Sequence, residues 1–98
     1  MWIHDMFGAD KPIIALLHLD ALPGDPGFCG DMDVVLDHAA HDLTALQDGG
    51  VDGILIANEF SLPYQPVADI AVISAMAYII GKLKDRIRVP FGVNVVKN

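Results

Sequence analysis

Apolar positions along the chain change period several times, and each change marks an element. Ile13 to Leu17 are apolar without a break, as in a strand buried on both faces of a helix-covered parallel sheet. Alternation puts Ile14, Leu16, His18 and Asp20 on one face of that strand and Ile13, Ala15, Leu17 and Leu19 on the other. Residues 33–48 switch to helical spacing, with Val35, Ala39, Leu43 and Leu46 as a stripe flanked by Leu36 and Ala40. Asp31 or Asp33 suits the cap of this helix, and Gly49-Gly50 suits its stop. Residues 51–58 predict a second strand, with Ile54, Ile56 and Asn58 on one face. A second long helix is predicted over about 67–85, opened by Pro66. Its expected apolar side is Ile70, Ile73, Ala77, Ile80 and Leu83, widened by Ala71, Met76 and Ile79. Residues 89–97 predict a third strand, in which Gly92, Asn94, Val96 and Asn98 share a face. Trp2 to Phe7 predict a short helical lead-in ahead of a first strand over 12–19.

The order is therefore β-α-β-α-β, an α/β fold. Right-handed crossovers make the three strands neighbours in one parallel sheet. Three strands cannot close a barrel, and strand starts near residues 12, 51 and 89 lie further apart than the ~31 residues per unit of a ~250-residue barrel of eight. The expectation is that residues 1–98 form the amino-terminal part of one (β/α)8 barrel, a truncation of a longer domain. The broad apolar side of the second helix then needs cover from further helices or from a second copy of the chain.

In such sheets ligands bind, and chemistry is done, at the carboxyl ends of the strands. That directs attention to His18 and Asp20 after the first strand, Asn58 and Glu59 after the second, and Asn94 and Asn98 in the third. Histidine suits proton transfer because its ordinary pKa of ~6.5 lies near working pH. Asp20 and Glu59 are the carboxylates that would assist it, and the asparagines the groups that would orient a substrate. Residues 21–32 form a long connection, in which Pro23-Gly24 and Pro26-Gly27 set turns and Gly24 lets backbone approach a ligand closely. Asp37, His38 and His41 also fall close together by helical spacing, but on a helix expected outside the sheet they read as a solvated face.

Three blocks taken together, KPIIALLHLDALPGDPG at 11–27, GVDGILIANEFSLPY at 50–64 and PFGVNVVKN at 90–98, resemble the opening of the BtpA family. That family takes its name from a factor needed for photosystem I accumulation and is grouped with the ribulose-phosphate-binding barrels. The resemblance implies the barrel fold and carries over Asn58, Pro63, Asn94 and Asn98 as site positions. It departs at Ala57, where the family commonly has an acidic residue, with Glu59 two positions on as the nearest carboxylate. It implies an enzyme or binder of a small phosphorylated or sugar-like metabolite. The alternatives are a non-enzymatic assembly or stability factor, or a truncated fragment without activity.

Composition narrows the classes further. Hydrophobic residues at 53% and charged residues at 19% exclude a disordered chain. A net charge of −7, with only Lys82, Lys84, Arg86 and Arg88 grouped, argues against nucleic-acid binding. The most apolar window, Ile70 to Gly81, is too short for a membrane span, and the first eleven residues lack the pattern of a signal peptide, so a cytoplasmic protein is expected. The single Cys29 cannot form an internal disulfide or a cysteine metal cluster and reads as a bystander thiol. No glycine-rich phosphate loop occurs, no metal-ligand set is read, and no cofactor is named by the sequence.

Overall fold

Capping groups set where the first long helix begins and ends. The Asp31 carboxylate accepts the backbone N–H of Asp33 at 2.9 Å, which satisfies one of the donors a helix start leaves open. At the other end Gly50 takes φ +87°, a conformation that side-chain-bearing residues resist, and its N–H donates to the Gln47 carbonyl at 3.0 Å. The computed structural model describes residues 2–23, 27–58 and 70–95. Within them run α1 (Trp2–Phe7), β1 (Ile14–His18), α2 (Met32–Asp48), β2 (Gly53–Ala57), α3 (Ile70–Leu83), a 3-10 turn (Lys84–Arg86) and β3 (Phe91–Asn94).

The strands form one parallel sheet in the order β1-β2-β3. Register pairs Leu17 with Ile56 and Ile56 with Val93, and one residue on it pairs His18 with Ala57 and Ala57 with Asn94. Paired residues of parallel strands share a face, so the sheet has two distinct sides. One carries Ala15 and Leu17 of β1, Ile54 and Ile56 of β2, and Phe91 and Val93 of β3. It packs under the helices, and Leu17, Ile54 and Ile56 join Val35, Ala39, Leu43, Val72, Met76, Ile79 and Leu83 in the core. Leu19 and Leu22, just past β1, are buried in the same cluster.

The other side carries Ile14, Leu16 and His18, then Gly53, Leu55 and Ala57, then Gly92 and Asn94. Among the described residues no long helix covers it, and Ile14 and Leu16 remain 51% and 54% exposed. α1 reaches it at the amino ends of the strands. There Gly53 admits the Phe7 ring, since a Cβ on Gly53 would stand 2.8 Å from Phe7 Cε1.

The buried stripe of α3 differs from the expected one. Val72, Ala75, Met76, Ile79 and Leu83 are buried, whereas Ile70 and Ile73 are exposed. This helix is apolar nearly all round, so periodicity alone did not select a face; contact with α2 and the sheet did. In α2, by contrast, aspartates and histidines mark the outer side, and the buried residues are Val35, Ala39 and Leu43.

Polar clamps hold the amino ends of the strands. Asp52 Oδ2 accepts the Ile13 N–H at 2.9 Å. The Gln47 side chain accepts the Arg88 N–H at 2.6 Å and donates to the Arg86 carbonyl at 2.9 Å, tying the end of α2 to the approach to β3. Among the described residues no helix is long and apolar enough to cross a membrane.

Candidate functional site

The carboxyl ends of the three strands meet in one row, His18–Ala57–Asn94, fixed by register. Adjacent strands lie about 4.8 Å apart, so the His18 and Asn94 backbones stand roughly 10 Å from each other with the small Ala57 between them. All three lie on the side the helices leave open. An imidazole and a carboxamide flank a methyl group that is itself 3% exposed. The imidazole can move a proton, and the carboxamide can both donate and accept hydrogen bonds.

Asn58 is placed differently. Strand alternation puts it with Ile54 and Ile56, on the helix side, and it is 1% exposed, the one buried polar side chain among the described residues. At the same strand end the Leu19 N–H donates to the Ala57 carbonyl at 2.9 Å.

Asp20 also leaves the row. Strand alternation would group it with His18, but β1 ends at His18, Leu19 and Leu22 turn into the core, and Asp20 reaches α2. There its Oδ2 lies 2.5 Å from His38 Nδ1, with the side chains 39% and 61% exposed. His38, expected on a solvated face, is thus the partner of a predicted site carboxylate. Nothing in the local pattern pointed to it, because the two residues are eighteen positions apart and meet only when the connection folds over the start of α2. A polar contact this open to water contributes about 0–1 kcal/mol, so it orients the connection more than it stabilises the fold.

Gly24, Glu59 and Asn98, the other predicted site residues, lie outside the described residues, as does Pro63. Among the described residues no three His, Cys, Asp or Glu side chains are grouped to hold a metal ion. Cys29 is free and exposed, and its Sγ lies 3.5 Å from the Asp31 carbonyl.

A parallel sheet with helices on one side, and polar groups in register at its carboxyl edge on the other, defines an α/β protein of the βα-repeat class. Within that class the chain belongs to the BtpA family, whose model matches residues 9–98. It is 50% identical over 97 residues to SgcQ, a protein of the sgc region of Escherichia coli (strain K12), a match covering 97% of this chain and 36% of that one. It is 36% identical over 99 residues to the photosystem I biogenesis protein BtpA of Synechocystis sp. (strain ATCC 27184 / PCC 6803 / Kazusa), covering 100% of this chain and 34% of that one. It is also 36% identical over 89 residues to the protein PH1209 of Pyrococcus horikoshii, covering 91% and 34%. The chain thus spans about a third of the length of the curated relatives it matches. No solved structure matches it.

Proposed function

We propose that the chain is the amino-terminal part of a cytoplasmic (β/α)8 barrel whose strand ends bind, and act by proton transfer on, a small phosphorylated or sugar-like metabolite. The observation that carries this reading is the row His18–Ala57–Asn94 on the uncovered side of the sheet. In a closed barrel that side is the interior, and the row stands at its mouth. His18 is the general acid or base. Asn94 and Asn98 orient the substrate, and Gly24 brings the backbone of the β1–α2 connection against it. Glu59 supplies a carboxylate after β2. Asp20 contributes from the rim, held by His38, and Asn58 contributes by holding the end of β2. The phosphate group of such a ligand would be held mainly by the last strands of a barrel of this type, which no part of this chain supplies.

Calorimetric titration with a panel of pentose and hexose phosphates tests the reading, using the chain completed with the remaining two-thirds of the Escherichia coli relative. At least one member should bind. His18→Ala and Asn94→Ala should each weaken that binding at least tenfold with an unchanged circular dichroism spectrum. Binding that survives both substitutions would overturn the assignment.

A second reading is a non-enzymatic assembly factor. It is favoured by the exposed apolar residues and by the name of the Synechocystis relative, which refers to photosystem I biogenesis. A completed protein that binds no member of the panel would favour it.

A further inference from the structure

We propose that Gln47, at the end of α2, is a positioning residue for Asn94: by gripping the chain ahead of β3 it selects the register that places Asn94 in the row with His18. The inference rests on the proposed function in taking Asn94 as a site group, and its test needs no ligand.

Burial does not select that register. On the helix side of β3 and its approach, Ile87, Val89, Phe91, Val93 and Val95 follow one another without a polar member. Ile87, Val89 and Val95 are partly buried against the core, and Phe91 and Val93 are exposed. Sliding the strand by two residues keeps every side chain on its own face and sets one apolar residue in another's place, so burial changes little. On the open side the same slide matters. It replaces Asn94, the partner of Ala57, with Gly92 or with Val96. β1 lacks this ambiguity, because Leu17 and Leu19 are each 1% exposed and fill fixed places in the core.

Main-chain chemistry excludes one of the two slides. The Pro90 carbonyl accepts the Ile54 N–H at 3.1 Å, so Pro90 stands at the foot of the ladder with its carbonyl in use. The slide that brings Gly92 opposite Ala57 carries Pro90 into the present place of Gly92, opposite Leu55. A residue there donates its N–H to β2, and proline has none.

The opposite slide brings Val96 opposite Ala57 and meets no such obstacle within the strand. Gln47 opposes it from outside. Its side chain accepts the Arg88 N–H at 2.6 Å and donates to the Arg86 carbonyl at 2.9 Å, as a neighbouring strand would. Asp48, the next residue of α2, lies 3.6 Å from the Arg88 guanidinium. After the slide Pro90 would stand where Arg88 now donates, and the Gln47 oxygen would lose its partner. Gln47 and Pro90 together therefore index β3, one from α2 and the other from within the chain.

Thiol pairing reads the register directly, in the chain with Cys29→Ser. L55C with G92C joins opposite residues of the present register. L55C with N94C joins opposite residues of the Val96 slide, and in the present register those two stand about 8 Å apart, beyond the ~7 Å that a disulfide spans. Closure rates in a glutathione buffer should favour the first pair. Q47A should raise closure of the second relative to the first about tenfold. Gln47→Glu keeps the acceptor for the Arg88 N–H and should stay near the parent ratio. An unchanged ratio in Q47A overturns the inference, even where the variant is less stable, and leaves the acid–base reading standing. Failure of the completed protein to bind a sugar phosphate overturns that reading and leaves the register result standing. If Q47A does not fold, Pro90→Ala gives the answer by supplying the missing N–H: a raised ratio upholds the inference, and an unchanged one overturns it.

Discussion

Leu16 and Leu17 are neighbours in β1 with the same side-chain chemistry, yet Leu17 is 1% exposed and Leu16 54% exposed. The difference lies in what covers each side of the sheet. Under the helices, residues from β1, β2, α2 and α3 interlock in one core. On the opposite side, β1 and β2 present Ile14, Leu16 and Leu55 to little more than the ring and thioether of α1. Hydrophobic burial contributes in proportion to area removed from water, so identical leucines contribute unequally to stability. The His18–Ala57–Asn94 row stands on that second side, with Ala57 itself 3% exposed.

The largest effect should come from the covered side. Leu17→Ala removes a fully enclosed side chain and should cost about 2–5 kcal/mol, read as a lowered urea midpoint. A cost near zero would mean that the two sides do not differ as described. Next is Gly53→Ala, whose new methyl would meet the Phe7 ring at 2.8 Å and must turn that ring, displace α1 or strain β2. A loss of about 1–3 kcal/mol is expected. A Phe7→Ala, Gly53→Ala double variant should recover part of that loss, since the clash partner is gone.

Asp20→Asn should change stability by less than about 1 kcal/mol, because the pair with His38 is open to solvent. Its signature is local: the His38 imidazole resonances should shift while those of His4, which pairs with Asp10, stay in place. Smallest of all should be Leu16→Ala, within about 0.5 kcal/mol in the chain alone.

Legibility followed polarity. In α2, Asp37, His38, His41 and Asp42 mark the solvent side, so the pattern pointed to Val35, Ala39, Leu43 and Leu46, of which the first three are buried and Leu46 is half-buried. In α3 almost every position is apolar, and the expected stripe named Ile70 and Ile73, which are exposed. The candidate site divides the same way. His18 and Asn94 each occupy a regular strand position, so their face followed from alternation. Asp20 lies just past a strand end, where alternation lapses, and its partner His38 was invisible to any local rule. Asn58 was expected at the same mouth as His18, but β2 is offset so that Ile54 and Ile56, and Asn58 with them, face the helices.

By itself the sequence determined the α/β class and the parallel order of its strands, which rest on periodicity, turn residues and crossover handedness, and its three blocks at 11–27, 50–64 and 90–98 carried the resemblance to the BtpA family. Only the tertiary structure decided which side of each strand the helices cover, which flank of α3 is left bare and which polar groups share the open side. Those outcomes depend on strand register and on contacts between residues far apart in the chain. A shift of one residue in register would move each strand's whole set of side chains to the opposite face.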